Sequence, residues 1–235
     1  MVAFEGPDAI GVLIGAKRPS GTLIHKIAVH PDHGRQGHGR HLLTSLSSKL
    51  AILGPPKMFA EVPETFAATV ALFDACAYVH ESMLTDYVLD GPALGEGPAV
   101  NEGFVIPVTI DDLVANGLLG EAEPQPLCWE RSIETLTARK DDIAGLAIAS
   151  DERIEACLLY VPREAGATEI VSLRSFIEDG GARLKQLLSQ LRAQGTGTFR
   201  FPKVHAAEIS KGLLETLGFR PAGGHRLYAA RARSG

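Results

Sequence analysis

Apolar positions along the chain repeat with a period of two in some segments and about 3.6 in others, which is typical of alternating strands and helices. Residues 22–29 are rich in β-branched side chains, whereas leucines recur at helical spacing between 42 and 53. The elements predicted for the first half are a hairpin over 1–5 and 9–16, a buried strand over 22–29, a helix ending at Gly54, a strand over 57–62, a helix over 65–77 and a strand over 80–89. This succession predicts an α/β fold of the mixed, α+β kind.

The same order of elements returns after a segment rich in Gly and Pro. The second half predicts helices over 110–119 and 129–139, a hairpin over 146–150 and 154–161, a strand over 169–176, a helix through 184–191, a short strand over 199–201, a helix over 206–217 and a strand over 226–232. Two diverged copies explain this order, with two unrelated α/β pieces as the alternative. We therefore expect domains over 1–90 and 104–235, joined by a linker over 91–103.

Composition excludes some classes of partner and indicates a compartment. The 235 residues carry 23 Lys and Arg against 28 Asp and Glu, a net charge of −5, so no general attraction to nucleic acid or to a membrane is expected. The chain opens without the pattern of a signal peptide, which favours the cytoplasm. Cys76, Cys128 and Cys157 stand far apart without metal-type spacing, so we expect reduced packing residues and no metal.

The segment HPDHGRQGHGRHLL, residues 30–43, places three glycines among basic side chains directly before a leucine-rich helix. The first turn of a helix leaves backbone N–H groups unpaired at the positive end of its dipole, and glycine lets an anion approach them. A strand, a glycine-rich loop and a helix in succession therefore indicate a phosphate site. Neither the spacing of a nucleotide P-loop nor that of a dinucleotide fold is present. A tight turn whose glycines serve geometry alone is the structural alternative.

The run IAVHPDHGRQGHGRHLL, residues 27–43, resembles the acetyl-CoA signature of the GCN5-related N-acetyltransferase (GNAT) superfamily, although Gly34-Arg35 stands where Arg-Gly is usual. The resemblance implies two tandem acyltransferase-like domains with mixed sheets flanked by helices. It implies a splay between the strands at 22–29 and 57–62, with the pantetheine arm of acetyl-CoA in the gap and its pyrophosphate on the loop. The cofactor-binding residues implied are Ile27, Ala28, Val29, Arg35, Gln36, Gly37, His38, Gly39 and Arg40.

The resemblance also implies a catalytic base for an amine acceptor. The family often has Glu four residues before the final Val of the first core strand, and His25 holds that position here. Strand alternation predicts one face for His25, Ile27 and Val29, and Glu61 on the neighbouring strand is the reserve candidate. A histidine that only fills the sheet surface is the alternative. The family's Asn and Tyr after the second core strand are replaced by Phe66 and Phe73, and Phe cannot protonate the departing thiolate.

The second copy keeps the scaffold without the cofactor loop. Aligned by its leucine pair, it has Ala182 and Leu184 where Gly37 and Gly39 stand, and the acidic Glu178 and Asp179 lie just before. We therefore expect one cofactor site, in the first half. The first copy also lacks the strand and two helices that lead the family domain, so we expect its sheet face to be covered by the second half or by a second chain in a homodimer.

The resulting hypothesis is an N-acetyltransferase that moves an acetyl group from acetyl-CoA to a primary amine of a small molecule or peptide. The alternative is a non-catalytic acyl-CoA-binding or protein-interaction module. The intact loop and the candidate base favour the enzyme, whereas Phe73 and the missing leading elements favour the alternative.

Overall fold

The computed structural model describes residues 1–91, 104–120, 128–163 and 166–233. The chain forms two compact units, one of Met1–Met83 with Gly224–Gly235 and the other of Leu84–Gly223. These units differ from the predicted domains, because the end of each half of the sequence is grouped with the other half. The predicted linker, apart from Gly91, lies outside the described residues.

The first unit is a mixed sheet with two helices on one face. Its elements are β1 Val2–Glu5, β2 Asp8–Arg18, β3 Gly21–Val29, a short 3-10 helix Pro31–His33, α1 His38–Leu53, β4 Lys57–Pro63, α2 Ala67–Ala75, the start of β5 Val79–Asp90 and the end of β11 Arg220–Arg231. The strand order is β1-β2-β3-β4-β11, with β3 and β4 parallel and the other pairs antiparallel. The predicted hairpin and strands are confirmed.

The second unit repeats the strand pairing and has helices on both faces of its sheet. Its elements are the end of β5, β6 Phe104–Pro107, α3 Ile110–Ala115, 3-10 helices Trp129–Arg131 and Lys140–Asp142, α4 Ile133–Ala138, β7 Ala144–Ala149, β8 Ile154–Pro162, β9 Ala167–Ser175, α5 Ala182–Ala193, β10 Thr198–His205, α6 Lys211–Thr216 and the start of β11. The order is β5-β10-β9-β8-β7-β6, with β9 and β10 the parallel pair. The internal repeat is therefore visible in the pairing pattern.

Each unit takes one strand from the other half of the sequence. In the first unit, β11 pairs antiparallel with β4 over residues 225–231. In the second unit, β5 pairs antiparallel with β10 over residues 84–90. Each parallel pair is thus followed by an antiparallel strand that is distant in sequence, so neither sheet is built from a contiguous half of the chain.

Leucines of the long helices fill the cores under both sheets, as their spacing predicts. In α1 the buried residues are Leu42, Leu43, Leu46 and Leu50, and in α5 they include Leu184, Leu187, Leu188 and Leu191. Burying each such side chain stabilises the fold by about 1.5–3 kcal/mol. Within the described ranges, no helix combines the length and the apolar character that crossing a membrane requires.

Several predicted helices are shorter in the structure because local backbone features end them early. The helix predicted over 65–77 is limited to Ala67–Ala75, and the left-handed Ala77, at φ +59°, ends it. The helix predicted over 206–217 begins only at Lys211, where the Ser210 hydroxyl accepts the Leu213 N–H at 3.2 Å. The helices predicted over 110–119 and 129–139 contain six α-helical residues each.

Candidate functional site

The N-terminus of α1 is a helix end without a side-chain cap. Its N-cap is Gly37, which adopts the left-handed φ of +90° that glycine tolerates, and none of the described side chains bonds the first-turn N–H groups. Gly39 lies against α2, where an added Cβ would stand 3.1 Å from Leu72 Cδ2. The loop therefore presents backbone donors at the positive end of the helix dipole, with little side-chain bulk before them.

Basic and amide side chains surround this helix end. The ring of His33 lies 5.8 Å from that of His30 and 6.2 Å from that of His38, measured between centroids. His33 Nδ1 lies 2.9 Å from a Glu5 carboxylate oxygen, which ties the loop to β1. Gln36 Nε2 donates to the carbonyl oxygen of Asp32 at 3.3 Å and holds the turn closed. The loop is thus an ordered, donor-rich turn.

The parallel strands β3 and β4 part soon after they begin. Their ladder contains Thr22 with Met58 and Leu23 with Phe59, yet β3 continues to Val29. Beyond this ladder, the edge of β3 that carries Ile27, Ala28 and Val29 has no β4 residue as a register partner. The expected splay is confirmed, and it opens toward the loop that leads into α1.

A β-bulge in β3 lies where the splay begins. The register with β2 runs from Ile14 opposite Lys26 to Gly15 opposite Ile24, so His25 is the extra residue. Because of the bulge, Ile24 and Ile27 both contact the first unit's core although they stand three positions apart. The prediction that His25 shares a face with Ile27 is therefore wrong. His25 is exposed on the opposite face.

The two candidate bases lie at the same level of the splay. His25 is two residues past Leu23, and Glu61 is two residues past Phe59, the last register pair of the ladder. On β4 the residues alternate between the buried Met58, Ala60 and Val62 and the half-buried Phe59 and Glu61, so Glu61 is on the face of Phe59. The structure thus brings both side chains to one face, where β3 and β4 begin to part.

Aromatic side chains occupy the place where the family signature has its Tyr. Phe73 is 1% exposed, its ring centroid lies 4.9 Å from that of Tyr78, and it stacks on Tyr228 at 5.5 Å. The hydroxyl of Tyr228 donates to Asp74 Oδ1 at 2.8 Å. Burial and this hydrogen bond raise the pKa of Tyr228. Sequence reasoning missed Tyr228, because β11 brings it from a distant part of the chain.

The corresponding helix end in the second unit is capped. Gly181, at φ +88°, is the N-cap of α5 and so corresponds to Gly37, one residue before the predicted Ala182. Asp179 Oδ1 accepts the N–H of Gly181 at 2.8 Å, and its Oδ2 accepts the N–H of Arg183 at 2.7 Å. The glycine is therefore kept, and a carboxylate of the chain itself takes the donors that an anion would need.

The corresponding splay in the second unit holds an arginine. The register of β9 with β10 ends at Glu169 opposite Arg200, and Arg131 lies beyond it. Its guanidinium donates to the carbonyl oxygens of Pro202, at 2.8 Å, and Lys203, and its Nε lies 2.6 Å from Glu208 Oε2. Arg131, with a side chain 3% exposed, lies between the parted strands and lines a pocket of about 220 Å³ there together with Ile170 and Pro202.

A charged pair borders this arginine. Lys203 Nζ lies 3.0 Å from Glu130 Oε1. Burial raises the pKa of Glu130, but the charges of Lys203 and Arg131 outweigh it and hold that pKa below its usual range. The second splay thus contains charged groups that pair with one another around a pocket of about 220 Å³.

Comparison with known proteins agrees with this geometry. Residues 1–78 match the model of the acetyltransferase (GNAT) family. The match covers β1 to α2, which includes the uncapped loop and the splay between β3 and β4. The capped helix end and the arginine-containing splay of the second unit lie outside this match.

Solved structures extend the GNAT likeness to the whole fold. A tandem GNAT protein from the clavulanic acid biosynthesis pathway, without AcCoA, aligns over 99% of this chain and 82% of its own, with a TM-score of 0.67 and 16% identity. A GNAT from Sphaerobacter thermophilus aligns over 97% of this chain and 78% of its own, with a TM-score of 0.66 and 14% identity. A GNAT from Anabaena variabilis aligns over 99% of this chain and 62% of its own, with a TM-score of 0.60 and 10% identity. At these identities the likeness establishes the fold, and the expected tandem arrangement is confirmed.

Proposed function

We propose that the chain transfers an acetyl group from acetyl-CoA to a primary amine, using the site of the first unit. The observation that carries the proposal is the coincidence of an uncapped helix N-terminus with a splay that opens toward it. The GNAT match over residues 1–78 supports the reaction class. The acceptor we propose is a small-molecule or peptide amine.

The first unit fits acetyl-CoA along two adjoining surfaces. Backbone N–H groups of residues 35–40 would hold the pyrophosphate, because Gly37 and Gly39 leave the helix end open. The edge of β3 at residues 27–29 would bond the amides of the pantetheine arm, since β4 has diverged there. Acetyl-CoA supplies a thioester that is reactive toward a neutral amine.

The chain's own contribution to chemistry is the removal of a proton from the amine. An ammonium substrate cannot attack the thioester until it loses a proton. The reaction therefore requires a base whose pKa lies close to neutrality. His25 is exposed at the bulge, and imidazole is a common general base in proteins. Glu61 lies at the same level of the splay and is the second candidate. Either group would act where the pantetheine arm ends.

One observation favours the alternative of a binding module without turnover. Phe73 is buried in an aromatic cluster and has no proton to donate to a departing thiolate. In an active enzyme of this kind, solvent would supply the proton that the departing thiolate takes up. The alternative predicts acetyl-CoA binding without thiol release for any amine.

The test is a calorimetric titration of the whole chain with acetyl-CoA, followed by thiol release over a panel of primary amines. We expect one site per chain and release with at least one amine. Absence of binding contradicts the proposal, and binding without release favours the module. Once an acceptor is found, His25→Ala is expected to lower kcat by about 100-fold and to leave the Kd of acetyl-CoA unchanged.

The control for the base is Lys26→Ala, which removes the neighbouring exposed side chain on the same bulge. This variant should keep kcat within a few-fold. His25→Ala should also remove the acidic limb of the pH–rate profile. Normal turnover in His25→Ala together with a loss in Glu61→Gln would assign the base to Glu61.

A further inference from the structure

The pocket of about 220 Å³ in the second unit lies where β9 and β10 part. Its lining residues come from the 3-10 helix before α4, the end of α4, β9 and β10, and all of them belong to the second unit. The volume is below the roughly 300–1,000 Å³ of drug-sized ligand sites. The pocket therefore suits a small metabolite, and the acetyl-CoA site proposed for the first unit makes no use of it.

Two of the cationic groups that line this pocket are engaged by the protein itself. The guanidinium of Arg131 donates to two backbone carbonyl oxygens and pairs with Glu208. Lys203 Nζ lies 3.0 Å from Glu130 Oε1. Lys203 also adopts the left-handed backbone region, at φ +52°, and its N–H donates to Asp86 Oδ1 at 2.8 Å. Such a backbone persists only where its surroundings hold it firmly, so this wall of the pocket is preformed.

Two other charged residues of the lining, Arg139 and Glu169, keep groups that no described residue engages. Arg139 directly follows α4, is half-buried, and forms no side-chain hydrogen bond or ion pair with any described residue. Glu169 accepts from Arg163 through Oε2 alone, at 2.8 and 3.2 Å, so its Oε1 has no hydrogen bond from the part of the chain that the structure describes. Arg139 and Glu169 line one pocket and form no ion pair with each other. A ligand that carries both an anionic and a cationic group would engage both residues.

The rest of the lining is largely apolar. Ile170 and Val171 lie at the bulge of β9, and Pro202 lies on β10 two residues past the parallel ladder. Apolar walls lower the local dielectric constant, which strengthens a hydrogen bond between charged groups. The same walls suit a short aliphatic group on the ligand.

We propose that this pocket binds a small amino acid as a zwitterion, with its carboxylate on the Arg139 guanidinium, its ammonium on Glu169 Oε1 and its aliphatic part against the apolar wall. A guanidinium matches a carboxylate with two parallel hydrogen bonds. Asp179 caps the N-terminus of α5, so the second unit has no open helix end for a pyrophosphate beside the pocket. The amino acid is therefore bound and not acetylated there, and this assignment does not depend on the proposed function.

The test is a calorimetric titration of the intact chain with L-alanine, L-valine and β-alanine, without acetyl-CoA. The tightest binder is then compared with two analogues that each lack one charged group, which for L-valine are isovalerate and isobutylamine. We expect one site per chain and an affinity about tenfold or more above that of either analogue, since hydrogen bonds between charged groups are among the stronger ones.

Two variants separate ligand contacts from a structural role. Arg139→Gln should lower the affinity for the amino acid to that of the amine analogue, whose own affinity should not change. Glu169→Gln should lower it to the level of the carboxylate analogue, again without changing that analogue. Arg163→Gln is the matched control for Glu169→Gln, because it breaks the same ion pair and keeps the carboxylate. Arg153→Gln, at an exposed site of the same unit, is the control for Arg139→Gln, and both controls should bind as wild type does.

The outcomes that overturn this inference are distinct from those that overturn the proposed function. Absence of binding by all three amino acids, or equal affinity for an analogue, contradicts a zwitterion site. Binding that survives in both Arg139→Gln and Glu169→Gln but is lost in His25→Ala would place the amino acid at the acceptor side of the first unit and overturn the pocket assignment. Binding of acetyl-CoA and release of its thiol are measured separately on the same protein, so either proposal can fail while the other stands.

Discussion

The N-termini of α1 and α5 have the same backbone conformation at the N-cap, but only α5 has a carboxylate that caps it. Gly37 and Gly181 are both N-caps, with φ values of +90° and +88°. At α1 none of the described side chains takes the first-turn donors, whereas at α5 the two oxygens of Asp179 accept the N–H of the N-cap Gly181 and that of Arg183 in the first turn. A single carboxylate, placed two residues before the N-cap, is enough to turn an anion site into a self-capped turn.

The two splays differ in the same way. The bulge that places His25 in β3 recurs in β9, where the register with β8 leaves Val171 as the extra residue. Two residues past each ladder, the partner strand carries Glu61 in the first unit and Pro202 in the second. The second unit therefore repeats the bulge and the parting of the strands, but the buried Arg131 lies in the gap.

The largest expected effect is on the arginine in the second splay. Arg131→Met would leave the Glu208 carboxylate and two carbonyl oxygens without their partner. Removing one member of a buried charge pair costs about 3–5 kcal/mol, which urea denaturation would measure as a loss of unfolding free energy. Arg153→Met, at an exposed site of the same unit, is the control and should change stability by less than about 0.5 kcal/mol. A second CoA site in Arg131→Met would show that the arginine alone blocks binding.

The next largest expected effect distinguishes the glycine loop before α1 from the corresponding loop before α5. Gly37→Glu places bulk and negative charge at the open helix end, so CoA binding should weaken by about 100-fold or more. Gly180→Glu is the matched control, because Gly180 also has a positive φ, +63°, and open surroundings. Both variants should lose about 1 kcal/mol of stability from backbone strain, and only the first should lose CoA. An equal loss of affinity in both would contradict a single site in the first unit.

A smaller effect tests the cap itself. Asp179→Ala removes both acceptors at the start of α5, so the free energy of unfolding should fall by about 1–2 kcal/mol. Glu178→Ala, the exposed neighbour, should have little effect. Because the guanidinium of Arg131 still lies between the parted strands, calorimetry should continue to give one CoA per chain. Two sites in Asp179→Ala would mean that the cap is the sole barrier.

The smallest effect concerns the residues that end α2 and α6. Ala77 and Gly218 both adopt left-handed backbone, at φ +59° and +89°, but only glycine does so without strain. Ala77→Gly should therefore stabilise the protein by about 1 kcal/mol, and Gly218→Ala should destabilise it by a similar amount. Thermal unfolding of both variants measures the difference. A shift of the same sign in both would contradict the equivalence of the two positions.

Much of the architecture follows from local sequence. Alternating residues in β2 and β3, the leucine stripe of α1 and the glycines of the loop are patterns within short segments, and each predicts its own element. The loop between His30 and Gly39 was identified for the same reason, since helix-end donors and glycine conformation depend on residues adjacent in the chain. These are the parts of the candidate site that sequence reasoning located.

The remaining features depend on pairing between distant segments. His25 shifts to the other face because of its register with β2, and no period within β3 reveals an extra residue. Tyr228 and Arg231 join the first unit only because β11 pairs with β4, more than 150 residues earlier in the chain. Arg131 is held in the second splay by carbonyl groups about 70 residues away. Side-chain patterns indicate which residues are buried. The choice of partner strand depends on the packing of the whole chain, so the complete site can be identified only in the folded structure.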